Sequence, residues 1–121
     1  MVRNLIRMTA MLSMGAAVLP ATAGNDPDCS GVNGWATSMA FVHLKNAHLT
    51  DNYVLDFTKT KTVRLASELI GADLYRQVHL VTFTEKSGRT IETITINDAS
   101  HQECSMSGVR VFVVSQELGG L

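Results

Sequence analysis

The chain is poor in the residues that most often announce a chemistry. It has two cysteines, one tryptophan and four histidines in 121 residues, too few for a thiolate cluster or a repeated His/Cys pattern of the kind that holds a metal. Its cations and carboxylates, 10 against 11, are scattered singly. Nucleic acid and anionic membrane surfaces both call for clustered Lys and Arg, so neither is an expected partner. Phosphate-cradling loops of the G-x-x-x-x-G-K and G-x-G-x-x-G kinds are absent, as is the G-x-S-x-G turn that presents a nucleophilic serine. After the first two dozen residues no second apolar run approaches the roughly 20 residues a membrane-spanning helix needs.

What is present begins with residues 1–23. Arg3 and Arg7 form a positive start, Met8 to Leu19 an apolar stretch of about a dozen residues, and Ala21-Thr22-Ala23 a small-x-small site. This is the pattern of an export signal removed after Ala23. The expected mature chain, Gly24–Leu121, is one small domain. Without Arg3 and Arg7 it carries 8 cationic side chains against 11 carboxylates, a net charge of about −3 with histidine neutral. The expected location is a bacterial periplasm, with secretion as the alternative. Asn25-Asp26-Pro27-Asp28 precedes Cys29 where a lipoprotein would have small apolar residues, so no lipid is expected there.

Export gives the cysteines their meaning. In an oxidising compartment Cys29 and Cys104 should pair, which stabilises a fold by about 4 kcal/mol for a loop of this length.

Trp35 to Asn46 shows helical spacing in two rows, Trp35/Met39/Val42 and Ala36/Ala40/Leu44/Ala47, with Asn33 as the expected N-cap. Val54 to Phe57 and Thr60 to Ile70 read as extended, with Val63, Leu65, Ser67 and Leu69 on one alternating face. A short helix over Val63 to Ile70 fits nearly as well, and the crowd of β-branched residues at the start favours strand. Tyr75 to Thr84 and Thr90 to Ile96 are strands joined by a hairpin tip at Lys86-Ser87-Gly88-Arg89. A bulge near Glu92 would bring Ile91, Ile94 and Ile96 to one inward face. Asn97 to Ser100 is expected to leave the sheet, Ser100 and Glu103 to cap a helical turn carrying Cys104, and Val109 to Ser115 to close the domain as a strand with an exposed edge. Gly119 and Gly120 should fray. The expected fold is α+β: one N-terminal helix packed on a mainly antiparallel β-meander of about four strands, with one disulfide.

Candidate sites are few. Asp98, His101 and Cys104 recur at three-residue spacing, but Cys104 is expected in the disulfide, so no metal site and no cofactor are assigned. His43 and His48 are five apart, off the spacing of a helical ligand pair. Asp98, His101 and Ser105 or Ser107 make a catalytic triad only on paper, since groups so close in sequence seldom adopt its geometry. No catalytic residue is assigned. The hairpin tip is the leading binding element: Lys86, Ser87, Gly88 and Arg89 would project from a two-stranded arm, a shape inhibitors use to enter a cleft, and Arg can grip a carboxylate bidentately. Tyr75 and Arg76 are a second candidate surface.

The expected function is a non-enzymatic binding module that recognises another exported or envelope protein, of the inhibitor or immunity type. One alternative is a small-ligand carrier, which requires a pocket between helix and sheet that the core does not fill. The other is a small enzyme using His101 or His79 as general base, which requires a perturbed histidine in a cleft.

Overall fold

The computed structural model describes residues 25–114. The expected export signal with its expected cleavage site, Ser115, and the glycines expected to fray lie outside them. One helix, α1 (Trp35–Asn46), precedes four strands, β1 (Lys61–Gly71), β2 (Leu74–Thr84), β3 (Thr90–Ala99) and β4 (Arg110–Val114). The strands form one antiparallel sheet in the order β1-β2-β3-β4. The fold is therefore the α+β meander the sequence implies. None of the described helices is long and apolar enough to cross a membrane.

The helix starts one residue later than Asn33 suggests. Gly34 is the N-cap, bonded through its N–H to the Gly31 carbonyl at 2.9 Å. A Cβ at Gly34 would lie 3.0 Å from that oxygen and 3.4 Å from the Cys29 carbonyl, so this close approach calls for glycine. Of the two apolar rows it is the alanine row that is buried, through Ala36, Ala40 and Leu44. Small side chains let the helix sit low on the sheet. There Ala40 and Leu44 join Leu55, Val81, Phe83 and Ile91 in the core, with Phe41 and Val111 packed against it. Trp35 is half-buried and donates its indole N–H to the Ser107 carbonyl at 3.0 Å.

Several local expectations are corrected. Val54 to Phe57 is not a strand. Only Leu55 forms a bridge, to Glu85, and Phe57–Lys59 is a 3-10 turn because the Asp56 carboxylate accepts from the Thr58 N–H at 3.1 Å. In β1 a register shift between Arg64 and Ala66 breaks the alternation, so Val63 and Ser67 fall on opposite faces. The β2–β3 pairing runs regularly from Tyr75↔Ala99 to Thr84↔Thr90, with no bulge at Glu92. Ile91 therefore points inward while Ile94 and Ile96 point outward. The same pairing keeps Asn97, Asp98 and Ala99 in the sheet. Ser100 and Glu103 close a turn through mutual backbone bonds rather than starting a helix.

The disulfide joins Cys29 to Cys104 with a Cα–Cα distance of 5.7 Å. It fastens the lead-in segment Asn25–Ser30 to the loop before β4, and Pro27 in that segment is buried over the sheet.

Candidate functional site

The hairpin tip is braced from two sides. Within it, the Glu85 N–H donates to the Arg89 carbonyl at 2.7 Å and the Gly88 N–H to the Glu85 carbonyl at 2.8 Å. Gly88 has a φ of 97°, which glycine alone adopts without strain. Arg89 closes the turn with a 2.7 Å ion pair to Glu85. The loop after α1 holds the tip from outside. Lys86 N–H donates to the Val54 carbonyl at 2.7 Å, and Asp56 N–H to the Thr84 carbonyl at 2.8 Å. That loop is itself fixed by Asp51, whose carboxylate accepts from the N–H groups of Tyr53 and Val54 at 2.7 and 3.1 Å. Lys45 reaches from the last turn of α1 to the Asn52 side-chain oxygen at 2.8 Å.

Between the end of α1, this loop and the tip lies a concavity of about 670 Å³, lined among others by Lys45, His48, Leu49, Asp51, Val54 and Glu85. Its surroundings expose apolar and aromatic groups. Tyr53 is 84% exposed, Leu49 43% and Val54 40%. An aromatic held out from an ordered turn is the kind of group that dominates protein interfaces. The sequence reading missed Tyr53, Leu49 and Val54. Their signal, an Asx turn at Asp51 leading into an apolar pair, was legible only as a loop.

Tyr75 and Arg76 are not part of this site. They lie toward the other end of β2, Tyr75 roughly 30 Å from Thr84 at the base of the tip at about 3.3 Å per strand residue. Arg76 grips Asp98 on β3 through Nε and Nη2 at 3.0 and 3.3 Å, and this pairing raises its pKa. Tyr75 meets the His101 ring edge-on at 5.3 Å between centroids.

The histidines do not build a catalytic cleft. His101 Nδ1 pairs with Asp73 at 2.5 Å and Nε2 with the Asn25 carbonyl at 2.6 Å. The bond to the Asn25 carbonyl, then that to Asp73, raises its pKa and favours the doubly protonated ring. Both ring nitrogens face acceptors, the Asp73 carboxylate and the Asn25 carbonyl. The carboxylate of Asp73 is held below its usual pKa range by the same contact. His79 is fully buried under the helix side of the sheet, and burial lowers its pKa, with Arg64 adding to the effect. Asp98, His101 and Cys104 are engaged separately, by Arg76, Asp73 and Cys29. Ser107 Oγ donates to the Gly108 carbonyl, and Ser105 Oγ to Glu103, so neither serine meets His101. Among the described residues no group of three or more His, Cys, Asp or Glu is arranged to hold a metal ion.

The carrier reading requires a hollow between helix and sheet. The cavity at that junction, lined by Val32, Thr37, Phe41, Val42, Phe57 and Phe83 among others, measures about 240 Å³. Ligand pockets run from about 300 to 1,000 Å³.

No family model matches the chain, and no curated protein and no solved structure matches it.

Proposed function

We propose that the protein is an exported, non-enzymatic module that binds another exported or envelope protein, in the manner of an inhibitor or immunity protein, through the tip end of its sheet. The observation that carries this reading is the tip itself. A hairpin turn held by two bonds to a neighbouring loop stands beside a concavity bordered by exposed Leu49 and Val54, with exposed Tyr53 on the same loop. Such preorganisation reduces the ordering cost of association, which otherwise erodes affinity. Lys86 and the exposed side of Arg89 supply cations at the rim, suited to a carboxylate-bearing partner. The leader-like residues 1–23 and the disulfide support the placement outside the cytoplasm.

The test is affinity capture from envelope and secreted fractions, using the oxidised protein as recovered after export. A Lys86→Ala/Arg89→Ala variant and a Tyr53→Ala variant run alongside. The expected result is one saturable partner whose affinity falls at least about tenfold, or about 1.4 kcal/mol, in each variant. Capture that is indifferent to both variants, or no captured protein, overturns the reading.

A further inference from the structure

The face of the sheet turned away from α1 is not covered by the helix, and its two central rows are mainly apolar. Strand register places Val63, Leu80, Ile94 and Phe112 in one row across all four strands. The next row toward the disulfide end is Ala66, Val78, Ile96 and Arg110. Val63 is 54% exposed and Phe112 43%. Arg110 lies over the Phe112 ring at 5.1 Å and covers only part of it. Beyond the apolar rows, at the disulfide end, the same face carries Glu68, Arg76 and Asp98 in register. At the tip end it carries Lys61, Thr82, Glu92 and Val114.

We infer that this face is the interface of a homodimer, in which two copies stack sheet on sheet about a two-fold axis running along the strands between β2 and β3. The occupant is a second copy because the face is complementary to itself under that operation. The axis keeps each row level and exchanges β1 with β4 and β2 with β3. Leu80 then lies over Ile94 of the partner subunit, and Val63 over the bulkier Phe112 of the partner subunit. Arg76 lies over Asp98 of the partner subunit, and Asp98 over the partner's Arg76, so the two intrachain Arg76–Asp98 pairs stack as an alternating quartet, while Arg110 lies over the small Ala66 of the partner subunit and Lys61 over Val114 of the partner subunit at the rim. The other two-fold, across the strands, would set Lys61 against Glu68 of the partner subunit but also Glu92 against Asp98 of the partner subunit, and would leave Arg76 over Thr82 of the partner subunit, so it lacks the reciprocal Arg76–Asp98 contact.

Size is consistent with this assignment. Four strands about 4.8 Å apart and about 20 Å long present roughly 400 Å² of projected area per copy. The side-chain relief raises the total for two copies toward the roughly 1,000 Å² of a small specific interface. Edge-to-edge pairing is the weaker competitor. β1 is interrupted by two register shifts and β4 is only five residues long, both features that blunt a sheet edge. In this dimer both hairpin tips lie at the same end, on a surface separate from the interface.

The experiment is sedimentation equilibrium on the oxidised protein as recovered after export, over a concentration series. A reversible dimer is expected, with Phe112→Glu weakening it at least tenfold. The decisive arm uses two charge variants. Arg76→Asp makes both groups acidic, and Asp98→Arg makes both basic. Each alone should be monomeric where the parent dimerises, and an equimolar mixture of the two should restore the dimer. The Arg76 side chain is 53% accessible and that of Asp98 17%, so circular dichroism is run on each variant, and the mixing arm is read on variants that retain the parent spectrum. A parent that stays monomeric throughout overturns the assignment, as does a dimer unaffected by Phe112→Glu or a mixture that does not reassociate. Tip-dependent capture in the preceding section is unaffected by either result, so the two proposals fail separately.

Discussion

The two faces of this sheet reverse the usual allocation of side chains. The covered face holds Gln77, His79, Thr93, Thr95 and Asn97, all buried. The open face holds Val78, Leu80, Ile94 and Ile96 from the same two strands. The covered face works because its cover is not uniform. Toward the hairpin tip, Val81, Phe83 and Ile91 meet Ala40, Leu44 and Leu55 in an apolar core. Toward the disulfide the cover is polypeptide backbone, whose carbonyls can receive polar side chains. Pro27 accepts from Gln77 Nε2 and Arg64 Nη1, each at 2.8 Å, and the Cys104 carbonyl accepts from Asn97 Nδ2 at 3.0 Å. A polar group is tolerated inside when a partner is built in. The layer is not fully matched. Gln77 Oε1, both His79 ring nitrogens, Thr95 Oγ1 and Asn97 Oδ1 are buried with no hydrogen-bond partner among the described residues. The lesson is that alternation identifies two faces, and the identity of the cover decides which is inside.

The sharpest way to test that contrast is to make the same change on each face. Phe83→Ala, in the core, should cost about 3–5 kcal/mol. Phe112→Ala, at a concentration where the protein is monomeric, should cost less than about 1 kcal/mol, in line with surface positions generally. Urea unfolding of both variants measures the difference. Replacing Cys29 and Cys104 by serine releases the cover over the polar end and should cost about 4 kcal/mol. Amide exchange should then rise first at Gln77 and Asn97 and last at Val81.

A smaller effect of opposite sign is expected at His79. His79→Leu replaces unpartnered buried nitrogens with an apolar group and should leave stability unchanged or raise it by about 1 kcal/mol. It should also alter the pH profile. The folded pKa of His79 lies below the ordinary 6.5, so the unfolded chain binds its proton first. Stability from this group is present above 6.5 and declines as the pH falls toward the folded value. The Leu variant should lose that acid-side decline.

The smallest effect belongs to the exposed clamp of His101 between Asp73 and Asn25. Its folded pKa is raised above 6.5, so its stabilisation is complete below 6.5 and fades as the pH rises through the folded value. His101→Gln should flatten only this alkaline-side loss, measured as the urea midpoint on either side of 6.5. The two histidines thus oppose one another, one favouring higher pH and one lower.

Much of the fold was legible. The span of α1, the positions of β2 and β3, the hairpin tip and the disulfide all follow from periodicity, turn chemistry and cysteine count. The candidate site was half legible. Lys86 to Arg89 could be placed on a turn from local sequence, whereas Tyr53 and Leu49 join it only because the chain after α1 folds back against the tip. Tyr75 and Arg76 were recognisable as surface residues, but their distance from the tip follows from strand length, and their partners His101 and Asp98 from register. The assignment of Ile94 and Ile96 to the core failed because apolar character was taken as a proxy for burial.

The sequence by itself determined the local elements and the cysteine pair, because spacing, β-branching and glycine act over a few residues. Only the tertiary structure decided which face of the sheet the helix covers. That choice depends on the volume of Ala36 and Ala40, on a one-residue register shift in β1, and on backbone carbonyls at Pro27 and Cys104 that receive buried polar groups from strands up to 50 positions away. These are contacts between distant segments, and no periodicity within either segment encodes them.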